Sequence, residues 1–174
     1  KNENIENICK KKNINCLVTK NINDVSVQNL LNKIKFKNIF FINLNSKLKI
    51  YENYDNINFI NIHLGDTQKY RGVFCLIHAI INNEEFFHIT SHFINNKFDL
   101  GNIIYQKKFK LYRKNLFKIY QFLFDKKIEV IEQTLKLLSF SNFKPNLNKG
   151  KTYKPPTFLE LAKFYKNFLN YPKR

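Results

Sequence analysis

Asn58-Phe59-Ile60-Asn61-Ile62-His63-Leu64-Gly65 is an apolar run that carries two polar side chains near its carboxyl end and stops at a glycine. Such a run predicts a buried strand over Asn58–His63. Working outward, Asn38–Asn43 (NIFFIN) reads as a second buried strand, separated from the first by a polar, turn-like stretch. On the other side, Val73, Leu76, Ile77 and Ile80 recur at helical spacing up to Ile81. Phe87–Ile94 (FHITSHFI) and Ile103–Phe109 read as further strands on either side of the turn at Asp99-Leu100-Gly101. Two helices are predicted next, one presenting Leu116, Ile119, Tyr120 and Leu123, the other Ile128, Ile131, Leu135 and Leu138.

Farther out, Ile14–Thr19 (INCLVT) reads as a strand, and Asn23 or Asp24 can cap a helix to about Lys33 with Val27, Leu30, Leu31 and Ile34 on one face. Asn, Lys, Gly150 and three prolines mark Ser141–Pro156 as a linker. Beyond it Thr157 and Glu160 form a capping box for a last helix with Leu161, Phe164, Tyr165 and Phe168 inward. The expected organisation is a domain over 1–140, a linker over 141–156 and a C-terminal helix over 157–174. Strands alternating with helices predict an α/β fold with a largely parallel sheet and helical C-terminal segments. In such sheets functional residues gather at the carboxyl ends of strands, here Asn61–Gly65, and in the loop at Asp99.

The 174 residues suit one ordinary domain, and 44% hydrophobic residues supply a core. No run approaches the ~20 apolar residues of a membrane-spanning helix, and the opening Lys1-Asn2-Glu3-Asn4 has no signal-peptide character. The 3 cysteines, Cys9, Cys16 and Cys75, lack metal-ligand spacing, so no metal is expected and a reduced, cytoplasmic setting is. The net charge of +17 invites a nucleic-acid reading. Of the 30 basic residues 27 are Lys, beside 27 Asn and 21 Ile, a bias that an AT-rich gene writes wherever a fold tolerates it. A dedicated nucleic-acid surface would use more Arg, so nucleic acid is not expected as the main ligand.

Asn61 and His63, two apart on a strand, project from one face and can converge on one point. An amide N–H2 beside an imidazole suits an oxygen that gains negative charge, and the imidazole can carry a proton near neutral pH. Asp99, one of 5 Asp, is a candidate to orient and charge-balance it. A strand histidine near an asparagine is also what a structural pair looks like in a chain with 27 Asn, and the residues alone leave both readings open. His78, His88 and Cys75 read as structural. The mixed Lys and aromatic run Tyr105–Phe124 reads as core with solvated lysines.

In order, Asn61-Ile62-His63-Leu64-Gly65, Lys69-Tyr70-Arg71-Gly72, Thr90-Ser91-His92 and Asp99-Leu100-Gly101-Asn102-Ile103-Ile104 resemble the formyltransferase family of the glycinamide ribonucleotide, methionyl-tRNA and sugar-amine enzymes. His63 and Asp99 lie 36 residues apart, His92 and Asp99 7 apart, spacings that the family uses. The matching stretch runs from about residue 38 to 110. The resemblance implies a Rossmann-like sheet, here N-terminally truncated and lacking the first βα unit. It implies formyl transfer from formyltetrahydrofolate to a primary amine without a metal. Asn61 would hold the developing oxyanion, His63 would stabilise it and move a proton, and Asp99 would orient His63. Folate would contact the segments holding Leu44, Ser46 and Leu48, and Asn95 and Asn96.

The family's Pro after the His is Leu64 here, and its Leu-Leu-Pro is Asp66-Thr67-Gln68, departures expected to loosen that loop. Only 75 residues follow Asp99, short of the extra domain of the tRNA enzymes, and Tyr153-Lys154-Pro155-Pro156-Thr157 resembles the tails of sugar-amine members. A nucleotide-linked amino sugar is the first expectation for the acceptor and glycinamide ribonucleotide the second. A catalytically inactive binding module of the same fold is the alternative to an enzyme, and a homodimer is left open.

Overall fold

A computed structural model of the chain describes residues 4–33, 35, 37–44, 47–49, 52, 54–112, 115–140, 143–147 and 150–170. A short helix α1 (Ile5–Lys11), capped by the Asn4 side chain on the Glu6 N–H, precedes α2 (Val25–Lys33). The main sheet holds β1 (Asn38–Phe41), β2 (Asn58–Leu64), β4 (Phe86–Phe93) and β5 (Ile103–Lys110) in the order β1-β2-β4-β5. Between β2 and β4 the chain makes the short strand β3 (Tyr70–Gly72) and α3 (Cys75–Ile81). After β5 come α4 (Leu116–Leu137), β6 (Lys151–Tyr153), which pairs parallel with β3, and α5 (Phe158–Leu169).

The sheet is mixed, not largely parallel: only β1 and β2 run parallel, and β2–β4 and β4–β5 are antiparallel. The reason lies in the connections. A helix of 7 residues, α3, rises about 10 Å, whereas a strand of 7 residues, β2, is about 23 Å long. α3 alone does not span that length, β3 is spent on pairing with β6, and the excursion from Leu64 to Phe86 re-enters the sheet at the end where β2 stopped, with Leu64 opposite Ile89. The loop from 94 to 102 then returns the chain as in any antiparallel pair.

Residues alternate across β2. Ile60 and Ile62 enter the larger core with α3, α4 and Phe164 of α5, while Phe59 packs with Val27 and Leu31 of α2 and with Leu48. Asn61 and His63 share the face of Phe59.

Three other expectations change. Ile14–Thr19 forms no strand: the Ile14 N–H bonds back to the Cys9 carbonyl, closing α1, and Ile14, Leu17 and Val18 are exposed. The two helices expected after β5 are one, because Phe124-Asp125-Lys126-Lys127 holds no residue that breaks a helix. The capping box of Thr157 and Glu160 is present on α5, but Tyr165 is 60% exposed and Leu161 36%, leaving Phe164 as the buried anchor. Within 141–156, β6 ties Lys151–Tyr153 to β3. No described helix is long and apolar enough to cross a membrane.

Candidate active site

β2 sets Asn61 and His63 two residues apart on one face, and β4 places His92 opposite Asn61 and Thr90 opposite His63. The Thr90 hydroxyl donates to the Gly65 carbonyl at 2.6 Å, holding the turn that leaves β2. The segment after it is tied down. The Asp66 carboxylate accepts from the Gln68 N–H at 3.0 Å and from Gln106 Nε2 at 2.9 Å. The departures from the family pattern therefore do not loosen this loop.

Asp99 arrives from the β4–β5 loop with φ 52, a left-handed backbone that Asp tolerates better than most residues. Its Oδ2 accepts from the Gly72 N–H at 2.8 Å and its Oδ1 from Asn61 Nδ2 at 3.2 Å. Gly72 has φ 87, and a Cβ there would lie 2.3 Å from the Tyr153 carbonyl oxygen, so only glycine lets the amide reach Asp99 past β6. His63 Nδ1 stands 3.6 Å from Oδ2 and His92 Nε2 3.4 Å from Oδ1. Asn61, His63, His92 and Asp99 are all buried. The structure thus brings together Asn61, His63 and Asp99, and adds two groups that the sequence reading assigned no role: His92 and the Gly72 amide. Thr90-Ser91-His92 was legible as a motif, but the pairing of Asn61 with His92 is a matter of register.

Hydrogen bonding settles the tautomers. His63 Nε2 lies 2.9 Å from the Tyr70 carbonyl oxygen, which only accepts, so Nε2 carries the hydrogen. Nδ1 is then the atom that gains or loses a proton, and it faces Asp99. His92 Nδ1, 2.8 Å from the Phe93 carbonyl oxygen, is likewise the donor, leaving Nε2 to accept from Asn61 Nδ2 at 3.3 Å. Both amide hydrogens of Asn61 are engaged, and its buried Oδ1 has no partner among the described residues.

Burial lowers the pKa of His63, against the opposing pull of Asp99 and with help from neighbouring His92 and Lys127. His63 is therefore neutral at pH 7. Burial alone would raise the pKa of Asp99, but His63, His92 and the Gly72 N–H together pull it well below the usual carboxylate range. The pair is a neutral base facing a fixed negative charge that can stabilise its protonated form. Burial pushes the Cys75 thiol up to about 12, so Cys75, whose Sγ is 3.6 Å from His63 Nε2, is no nucleophile at neutral pH.

Two clefts meet at Asn61 and His63. One, of about 70 Å³, lies on the Asp99 side, and its lining includes Leu44, Lys47, Leu48, Asn95 and Lys97. The other, of about 380 Å³, opens around the carboxyl end of β2, and its lining includes Asn43, Cys75, Tyr120 and Lys127. Of the residues expected to meet folate, Leu44, Leu48 and Asn95 line the first cleft. Asn96 is exposed on the loop beside it, and Ser46 lies outside the described residues. His78 Nε2 donates to the Lys154 carbonyl at 2.9 Å, a buried link between α3 and the segment before α5. No group of three or more His, Cys, Asp or Glu among the described residues could hold a metal ion.

Comparison with solved structures shows that this fold is shared with N-formyltransferases and with a tetrahydrofolate-bound protein. The chain is similar to HypX from Aquifex aeolicus in complex with tetrahydrofolic acid, at 15% identity over 78% of this chain and 26% of that one, TM-score 0.62. It is also similar to the sugar 3N-formyltransferase WlaRD, solved in the presence of dTDP and 5-N-formyl-THF, at 22% identity over 94% of this chain and 62% of that one, TM-score 0.57. An N-formyltransferase from Helicobacter canadensis, in complex with folinic acid and dTDP-3-aminofucose, matches at 23% identity over 74% and 54%, TM-score 0.53. The chain spans less than two thirds of the length of each. No family model and no curated protein matches the sequence.

Proposed function

We infer that the chain is a folate-dependent formyltransferase acting on a primary amine, and that the amine is carried by a nucleotide-linked sugar. The observation that carries the first part is that Asn61 and His63 line both clefts, with Asp99 beside them in the smaller one, the arrangement that a transfer between two bound molecules needs. The donor side suits folate in chemistry. Leu44, Leu48 and Ile94 offer apolar walls, and Lys47 and Lys97 offer positive charge to carboxylates. The partnerless Asn61 Oδ1 marks the place where a polar group is still wanted. Formyltetrahydrofolate bound there would supply the formyl group. The enclosed part of the cleft, about 70 Å³, takes one end of such a molecule and leaves the remainder over its rim.

The residues then have separate work. Asn61 presents an amide N–H2 whose present bonds, 3.2 and 3.3 Å, are long enough to be exchanged for an oxygen that gains charge. His63, neutral and buried, takes the amine's proton at Nδ1 and would return it to the folate nitrogen as the bond from that nitrogen to the formyl carbon breaks, with Asp99 at 3.6 Å stabilising the imidazolium in between. Asn61 Oδ1 is free to accept an N–H of the incoming amine, which would hold the nitrogen lone pair away from it. His92 and the Gly72 amide position Asn61 and Asp99.

The sugar half of the reading is supported by the likeness to two enzymes solved with dTDP and with dTDP-3-aminofucose. Titration of folinic acid into the chain, followed by formyl transfer to dTDP-linked amino sugars and to glycinamide ribonucleotide, tests both halves. Turnover with an amino sugar that is lost in His63→Ala supports the reading. Turnover with glycinamide ribonucleotide alone replaces the acceptor. Folate binding without turnover on any amine makes the chain a binding module, and no folate binding by folded protein overturns the donor site.

A further inference from the structure

Lys127 is 1% exposed, although it sits in the middle of the solvent-facing helix α4. Its Nζ donates to the Ile42 carbonyl at 3.3 Å and to Asn43 Oδ1 at 2.5 Å, and it lies over the Phe124 ring, 5.4 Å from the centroid. No described carboxylate pairs with it. An ammonium has three hydrogens and two are used, so a buried positive charge is answered only by neutral groups, with one donor left over. Burial without a counter-charge is costly, and burial alone lowers this lysine's pKa to about 8.

The same side chain lines the larger cleft, whose other walls include the reacting pair Asn61 and His63. Two further donors open into that cleft. Asn43 spends its Oδ1 on Lys127, which leaves its amide N–H2, and the half-buried Tyr120 hydroxyl makes no hydrogen bond with a described residue. Asn43 itself has φ 141, a backbone that favours glycine, and Lys127 bonds both its side chain and the carbonyl before it. Ammonium, amide and phenol can all donate, and among the described residues no acid lines this cleft.

We propose that Lys127, with Asn43 and Tyr120, forms an anion subsite in the larger cleft that binds a phosphoryl or carboxylate group of the amine-bearing acceptor. The identity of the ligand as an acceptor rests on the formyl-transfer reading; the anion subsite does not. An anionic acceptor would replace the missing counter-charge of Lys127 and would be held with its amine on the His63 side of β2. The donor cleft, across Asn61, would stay open to folate.

The test is calorimetric titration of the whole chain with inorganic phosphate in one arm and acetate in another, each with and without saturating folinic acid. One-site binding of either anion is expected, the tighter of the two naming the group. Lys127→Met should weaken it by about tenfold or more, the loss of a charge-assisted hydrogen bond, and Lys127→Arg should hold it within a few-fold. Binding should be unaffected by folinic acid. No binding of either anion by folded protein overturns the proposal, and so does undiminished binding by Lys127→Met. Mutual exclusion with folinic acid overturns it too, since it would put the anion in the donor cleft. If Lys127→Met does not fold, Tyr120→Phe decides: about threefold weaker binding supports the subsite, and unchanged binding overturns it. None of these arms needs turnover, so the subsite and the formyl-transfer reading fail separately.

Discussion

Asp99 and Lys127 are opposite buried charges, Asp99 against Asn61 of β2 and Lys127 against Ile42 and Asn43 just after the neighbouring β1, and they are treated differently. The Asp99 carboxylate receives the Gly72 N–H and the Asn61 amide and faces two imidazoles, so its charge is compensated by the fold. The Lys127 ammonium has a carbonyl, an amide oxygen and a ring face. A compensated buried charge organises its neighbours, whereas one left uncompensated costs stability that only a ligand can return. Under the proposed function Asp99 would serve the residues that move a proton, and under the proposed subsite Lys127 would receive an anion.

The sharpest way to break this contrast is chemical. His63→Ala should lower formyl transfer by about 10²–10⁴-fold, the usual worth of a positioned acid or base, measured as turnover of a formyl donor with an amino-sugar acceptor. A change of less than a few-fold would remove His63 from the chemistry.

Next comes stability. Asp99→Ala strands the Gly72 N–H and the Asn61 amide in the interior, and a loss of about 3 kcal/mol in denaturant unfolding is expected. Lys127→Met removes a charge that nothing compensates, and stability should hold or rise by about 1 kcal/mol. Equal losses for the two variants would mean that the buried charges are alike after all.

The pH dependence sharpens it further. His63 has a lowered native pKa against 6.5 when unfolded, so below about pH 6.5 the unfolded chain binds the proton first and stability falls as pH drops. Lys127 at about 8 against 10.5 makes the unfolded chain the better proton binder between those values, so stability should rise with pH across them. His63→Gln should flatten the acid arm and Lys127→Met the alkaline one in melts taken from pH 5 to 10. The smallest effect belongs to the outer face of α5: Tyr165→Ser, at a position 60% exposed, should change stability by less than about 0.5 kcal/mol.

Much of this is legible in the amino-acid sequence. The β2 run, the two-residue spacing of Asn61 and His63, the capping box at Thr157 and the ordered motifs through Asp99 are local patterns, and each sits where its pattern placed it. Strand direction was not legible. Where the excursion through β3 and α3 re-enters the sheet is set by tertiary pairing, and the apolar spacing from Val73 to Ile81 reads the same either way. Leu161 and Tyr165 carry the right periodicity to face inward, yet α5 buries only Phe164, because how wide a stripe is covered depends on the neighbouring element. Ile14–Thr19 has β-branched residues and no strand to pair with.

What a chain of letters holds is therefore the chemistry available at each position and the period with which it recurs: an amide, an imidazole and a carboxylate in a familiar order, and a core to carry them. Three-dimensional packing decided which groups share a wall. Antiparallel register put His92 against Asn61, the β3–β6 pairing brought the Gly72 amide to Asp99, and α4 turned Lys127, one lysine among 27, into the interior beside Asn43. Burial and long-range proximity are properties of the assembled fold, and they are what separate a reacting or binding group from an ordinary residue of the same type.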